Sequence, residues 1–461
     1  MSDPRTPATP PAWFPFDLRR LSTVMKMAAI GFLMLVLLIP LAMVDSVLGE
    51  RLQRRDGAVR EMTASWGAEQ VVVGPVLVVP YRYARRTWKD LVVNGRTERT
   101  ETVQPMTGRA YFLPAAMKAD GRLDPSRLAR GIYESVVYKC AVTLSGHFER
   151  PAFDEWKVDP QDVLWDEAAI TVAVSDLRGA QQALTVAIGG TPVKLNPGSR
   201  LDGFSSGVHA RLVGLKDRAG NVPFEIALTF NGSRSLRFAP VGTSTDVAVA
   251  STWPDPSFQG AFLPSHREIS RQGFTARWQV AEYGRSYPQQ WTDTNAVPAA
   301  AITASLFGVD LIPALDAYRY VERSIKYGGL VIALLFAACF LLEVLGNVRI
   351  HPFQYTLVGA ALCLFYLGLL ALSEVMSFDA AYWAGAAAAT LMISLYAIKA
   401  LASWRRALAA AAGLGTMYGF LFVVLRLQDF SLLVGTAGLT LALAIVMYVT
   451  RNIDWYARDG G

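Results

Sequence analysis

The feature that most limits what this chain can become is the placement of its long apolar runs. One lies near the N-terminus, five fill the last third, and residues 45–324 between them carry no comparable run. Apolar segments of this length cross a bilayer as helices, because hydrocarbon offers the backbone no other hydrogen-bond partners. The first run, residues 27–44 (MAAIGFLMLVLLIPLAMV), can span a hydrocarbon core of about 30 Å. Arg19, Arg20 and Lys26 precede it, which places its N-terminal side in the cytoplasm. The rival is a cleaved signal peptide. Ala42-Met43-Val44 is a poor cleavage site and a signal h-region is typically shorter, so the run is read as a retained anchor.

The later runs cover residues 325–345, 355–372, 380–400, 407–425 and 430–449. Positive residues test this threading. Arg349, then Lys399, Arg405 and Arg406, then Arg451 and Arg458 all fall on the side where the N-terminus lies. The opposite loop 373–379 has no Arg or Lys, and the loop 426–429 has one Arg and one Asp. Six spans with both termini cytoplasmic therefore satisfy the charge rule. The chain divides into a cytoplasmic tail (1–26), a first transmembrane helix (27–44), an outer β-rich domain (45–324), transmembrane helices two to six (325–449) and a cytoplasmic tail (450–461). No broken span or inverted repeat is visible in the bundle.

Only 18% of the 461 residues are charged, and the net charge is +6. No basic stripe interleaved with aromatics supports nucleic-acid binding; the cationic excess follows from membrane orientation. Cys140 is the one cysteine of the outer segment, since Cys339 and Cys363 lie in apolar runs, so that segment holds no internal disulfide. Its length allows it to fold on its own core.

After the first span, Leu48, Leu52, Val59, Met62 and Trp66 recur near helical spacing, which predicts a short amphipathic helix leaving the membrane. Strand patterns follow. Residues 70–80 form an apolar run interrupted at Gly74-Pro75, and Asn94-Gly95 marks a hairpin turn. Period-two alternation recurs at Tyr138, Cys140, Val142, Leu144; at Ile170, Val172, Val174; at Leu184, Val186, Ile188; at Phe224, Ile226, Leu228, Phe230; and at Phe274, Ala276, Trp278, Val280. Alternation separated by Gly, Pro and Asn turns predicts antiparallel sheets in a β-sandwich, single or in tandem. The fold class is thus an α+β membrane protein: one N-terminal transmembrane anchor, a large antiparallel β, sandwich-like outer domain, and a C-terminal five-helix transmembrane bundle. Pro313 can start a helix, and residues 316–330 are expected to run as one helix into the second span, coupling domain and membrane.

Six blocks then make the pattern a familiar one. They are VVVGPVLVVPY (71–81), STWPDPSFQGAFLP (251–264), YRYVERSIKYG (318–328), HPFQYTLVGAAL (351–362), LLALSEVMSF (369–378) and RNIDWYA (451–457). In this order and topology the chain resembles the CreD family of inner-membrane proteins over nearly its whole length after the Pro-rich first 15 residues. The resemblance implies the inner membrane of a Gram-negative bacterium, with the outer domain in the periplasm. It implies control by a two-component regulator that responds to envelope or nutritional conditions. It also implies a part in cell-envelope integrity, colicin tolerance and β-lactam responses. It implies no catalytic activity.

The residues themselves offer few sites. GFSSG at 203–207 matches the nucleophile-elbow pattern, but a strand pattern rather than a helix follows it, so it reads as a turn. Cys140 and His147 lie seven residues apart and point to opposite faces of one strand. His147, His209, His266 and His351 form no metal spacing; His266 beside Glu268 reads as a surface polar cluster. No phosphate-binding glycine loop is present. No catalytic residue, metal or cofactor is therefore expected. The loop 251–264 sets Trp253, Asp255, Phe258 and Phe262 among Pro254, Pro256 and Pro264. It is either a rigid recognition surface or a structural loop that tucks its aromatics into the core. Glu343 and Glu374 lie near span ends, Glu343 toward the cytoplasm and Glu374 toward the outside; both read as interfacial, with an ion or proton path as the rival. Asp454, Trp455 and Tyr456 read as an interfacial anchor of the last span. The expected partners are the lipid bilayer and a periplasmic protein or glycan. The expected role is non-enzymatic periplasmic binding or sensing in an envelope stress response, with a small transporter or channel as the alternative.

Overall fold

The computed structural model describes residues 20–451 apart from 94–95, 178, 180–184, 219, 313–316, 347–349, 402 and 428–429. The Asn94-Gly95 turn, Leu184, the Pro313 helix start, Arg19, Arg349, Asp429, Asp454, Trp455, Tyr456 and Arg458 lie outside the described residues.

Helix α1 runs Arg20–Trp66, 47 residues with Pro40 inside it. This corrects the expectation of a separate helix after the first span. No stop signal lies between Val44 and Leu48, and a lone glycine such as Gly49 costs a helix only about 1 kcal/mol. Leu37, Leu41, Val44 and Leu48 are buried along one stripe, while Phe32, Leu35, Ile39 and Met43 stay exposed, as positions facing lipid would. The chain divides into two compact units, Arg55–Ala314 and Met1–Arg54 with Leu315–Gly461.

The unit Arg55–Ala314 is built on two sheets. The nine-stranded sheet holds β1 (Gln70–Val93), β2 (Arg96–Phe112), β5 (Ala169–Val174), β8 (Asn196–Pro197), β9 (Gly207–Arg211), β11 (Ser235–Phe238), β13 (Pro256–Gly260), β16 (Gln290–Thr292) and β17 (Phe307–Leu311). The eight-stranded sheet holds β3 (Ala116–Arg130), β4 (Tyr133–Phe148), β6 (Thr185–Ile188), β7 (Thr191–Lys194), β10 (Val222–Ser233), β12 (Ser244–Ser251), β14 (His266–Ser270) and β15 (Gly273–Ala281). A short helix, α2 (Ala299–Ala304), precedes β17. One continuous core draws on both sheets, with Val72, Leu77, Ile170 and Val172 from the first and Leu144, Leu228, Val247 and Trp278 from the second. Alternation works as expected: in β10, Val222, Phe224, Ile226, Leu228 and Phe230 are all buried.

Two pairings correct the antiparallel expectation, because β1–β11 and β3–β12 run parallel. Side-chain alternation has period two in either orientation, so the pattern could not reveal this. Gly74-Pro75 does not end β1; the strand continues, and its register against β5 shifts between Val73 and Val76.

In the other unit, α3 (Ala317–Lys326) is followed by α4 (Gly328–Gly346), α5 (Pro352–Ser373), α6 (Phe378–Ala400), α7 (Trp404–Arg426) and α8 (Ser431–Thr450). Among the described residues, five helices are long and apolar enough to cross a membrane: α1, α5, α6, α7 and α8. A sixth span results if α3 and α4 are counted together. Those two meet at a 47° bend. This corrects two expectations, the continuous helix into the second span and the absence of a broken span. Tyr327 falls at the bend, and Gly328-Gly329, poor helix formers both, follow it. His351 caps α5 by accepting from the Phe353 amide at 3.2 Å, with Pro352 at the first helical position.

Candidate functional site

A cavity of about 540 Å³ opens on the β unit beside Arg109, Ser199, Arg200, Asp202, Gly203 and Ser205. Strand β2 positions Arg109 and Tyr111 two residues apart, hence on one face. Arg109 Nη1 lies 3.4 Å from Asp202 Oδ1, and the Tyr111 hydroxyl donates to Asp202 Oδ2 at 3.2 Å. The Arg109 amide donates to Asp293 Oδ2 at 2.9 Å. Trp291 stacks on Tyr111 with centroids 5.3 Å apart. Burial, with the Asp293 charge next, pushes the Tyr111 phenol well up, so it stays a donor at neutral pH.

The GFSSG segment forms the opposite wall. Gly203 has φ +82°, and a Cβ there would sit 2.5 Å from the Ala299 Cβ; Gly207 has φ +149°, and its Cβ would sit 2.3 Å from the Val172 carbonyl oxygen. Both glycines are therefore required by backbone shape and close approach. Strand β9 follows directly, so the strand–turn–helix setting of a nucleophile elbow is not met. Ser205 is exposed, and the His209 ring nitrogen Nδ1 lies 2.8 Å from the Gly198 carbonyl oxygen. Guanidinium groups beside serine hydroxyls suit a carboxylate or a polyhydroxylated ligand.

Sequence reasoning singled out GFSSG only as a turn and missed Arg109, Arg200 and Asp202. Arg109 is remote in sequence and reaches the wall through sheet pairing, so no local spacing announces it.

The expected loop 251–264 in fact carries strand β13, paired with β17; within this segment Trp253 is buried and its indole N–H donates to the Ile312 carbonyl at 2.9 Å. Phe258 and Phe262 are half-buried. Phe258 meets Phe274 and Trp278 edge-on, and Phe262 meets Phe307 edge-on. Asp255 and Leu263 are exposed. Cys140 is buried, and burial pushes its thiol well up. Among the described residues no group of three or more His, Cys, Asp or Glu could hold a metal ion.

Both membrane glutamates pair with cations from α1. Lys26 Nζ donates to Glu343, which also accepts from the Tyr355 hydroxyl at 3.1 Å. Arg51 Nε lies 3.4 Å from Glu374 Oε1, with the Tyr318 hydroxyl 3.5 Å from the same oxygen. Lys26 and Arg51 stand about 37 Å apart along α1 at 1.5 Å per residue, slightly more than a hydrocarbon core of about 30 Å. Glu343 and Glu374 thus mark two ends of the helix layer.

The family model described as "Inner membrane protein CreD" matches residues 22–456. The curated "Inner membrane protein CreD" of Escherichia coli (strain K12) is 32% identical over 433 residues, covering 94% of this chain and 93% of that protein. Among solved structures, native yeast LTA4 hydrolase aligns with 49% of this chain and 35% of its own at 9% identity and a TM-score of 0.19, a likeness too slight to inform the fold.

Proposed function

From the premise that the chain belongs to the CreD family of inner membrane proteins, we propose that it is a non-enzymatic multi-pass protein of the Gram-negative inner membrane. In this reading both termini are cytoplasmic and the β unit lies in the periplasm. It supports envelope integrity within a two-component-regulated stress response. The β unit binds a periplasmic protein or glycan, and the bundle anchors it. The observation that carries this reading is the Arg109–Ser205 cavity, which has the size and polar lining of a ligand site and no activated nucleophile beside it. Trp253, Phe258 and Phe262 would stiffen a second rim, whose exposed members are Asp255 and Leu263. Glu343 and Glu374 would act as interfacial ion-pair partners.

The test is binding of acidic peptidoglycan fragments to the full chain in nanodiscs, beside photo-crosslinking from position 205 in cells. Saturable binding lost in Arg200→Ala, or a reproducible adduct, supports the reading. Fragment cleavage, or neither binding nor adduct, overturns it. A second reading, a small transporter or channel, gains from the bent α3–α4 pair, because discontinuous spans mark transporter sites. Flux into liposomes that is lost in Glu374→Gln would select it.

A further inference from the structure

Four buried hydroxyls in the helical unit have no hydrogen-bond partner among the described residues: Ser394 Oγ of α6, and Ser324 Oγ, Tyr366 Oη and Tyr418 Oη. Ser324 and Tyr366 are fully buried and Tyr418 is 1% exposed. Ser324, Tyr366 and Tyr418 come from three helices, α3, α5 and α7, and the two tyrosines pack on one ring. The Phe365 ring lies 5.0 Å from Tyr366, 4.8 Å from Tyr418 and 5.5 Å from Tyr382. The Tyr382 hydroxyl is satisfied, donating to the Tyr418 carbonyl at 2.7 Å.

The broken span reaches the same spot. A Cβ on Gly328 would sit 3.3 Å from the Tyr366 ring, which puts the start of α4 against that tyrosine. Tyr320, one helical turn before Ser324, stacks on Phe378 at 4.9 Å, and Phe378 in turn lies 5.9 Å from Tyr382. Ser324 therefore sits on the face of α3 between these two contacts. The backbone adds to the imbalance. The first amides of α4 have no acceptor within their own helix, and the bond carrying the chain across the bend is Val331 N to Tyr327 O, 3.1 Å. Hydroxyls and amides left without protein partners in a packed interior call for a small ligand that both accepts and donates.

We propose that the α3–α4 break is an internal hydration site, in which ordered water bridges Ser324, Tyr366, Tyr418 and the opening amides of α4. Water meets the demand without the cost of a charge. A bend held through water can change angle by exchanging water contacts instead of breaking protein ones. The break is then the hinge of the bundle.

The test is radiolytic hydroxyl-radical labelling of the full chain in nanodiscs, which marks buried side chains only where a bound water lies beside them. Tyr283, 92% exposed, gives the upper reference. Tyr138, fully buried and bonded to the Ser235 carbonyl, gives the lower one. Labelling of Tyr366 and Tyr418 well above Tyr138 supports the site. Labelling no greater than at Tyr138 overturns it. Independently, Tyr366→Phe should leave unfolding unchanged or make it easier, because it removes a bridged hydroxyl. A clear gain in stability would show that the hydroxyl had no partner, water included, and would likewise overturn the proposal.

Discussion

Replacing Lys26 by Met should uncouple α1 from α4, and the cost can be bounded from the site. The Lys26 side chain is 27% exposed and that of Glu343 is 13% exposed. Removing one partner of a fully buried pair costs about 3–5 kcal/mol, and an exposed pair is worth about 0–1 kcal/mol. This pair lies between those limits, and Tyr355 still donates to Glu343 after the change, so Lys26→Met should cost about 1–3 kcal/mol. Glu343→Gln should cost less, because the freed ammonium can extend toward water on its long stem. The double variant removes both charges and should recover about 1–2 kcal/mol relative to the sum of the singles. Unfolding in mixed micelles titrated with sodium dodecyl sulfate measures all four corners of the cycle. Additivity within about 0.5 kcal/mol would refute the pairing. Glu343→Gln costing more than Lys26→Met would refute the argument from relative burial.

Gly207→Ala should destabilise the β unit by about 1–3 kcal/mol, since its Cβ meets the Val172 carbonyl oxygen at 2.3 Å and the residue must hold a left-handed φ. Ser205→Ala, at an exposed position, should stay within about 0.5 kcal/mol of the parent; thermal melts separate the two, and equal effects would contradict the structural role given to the glycines. Alkaline pH should destabilise the same unit. The Cys140 thiol is raised in the folded state by burial, so its stabilising share is complete below the unfolded value near 9.0 and is lost as pH rises above it. Tyr138 is raised by burial as well and adds a loss that begins near 10.0. Cys140→Ala should flatten the lower part of this decline in a denaturation series from pH 7 to pH 10; an unchanged slope would count against the burial argument.

Hydropathy made the helices legible because each span is longer and more apolar than any other use of such a run permits. Their limits fell close to α5, α6, α7 and α8. Strand alternation at Phe224, Ile226, Leu228 and Phe230 likewise fixed which residues enter the core. Orientation and partner were not legible. A strand's own residues do not say whether its neighbour runs parallel, and the β1–β11 and β3–β12 pairings depend on residues far away in the chain. The cavity failed to show for the same reason: its Arg109 and its Ser205 become neighbours only after β1, β2, β5 and β9 have paired. GFSSG was visible, but its glycines answer to Ala299 and Val172, contacts no motif encodes.

The membrane unit carries the argument one step further. Reading by residue type drew attention to Glu343 and Glu374, the groups most costly to place in hydrocarbon, and each proves to be matched by a cation of α1. A charge in such a setting is seldom left alone, because the penalty for leaving it unpaired exceeds what the rest of a bundle can offset. A hydroxyl costs less, so a fold can tolerate one without a protein partner where water or motion requires it. Tyr366 and Tyr418 fall inside apolar runs whose averaged hydropathy hides them, Ser324 lies one residue before such a run, and Gly328-Gly329 passes unnoticed because glycine is common in membrane helices. The polar groups that packing leaves unmatched, more than the charged ones, therefore point to where this bundle can move.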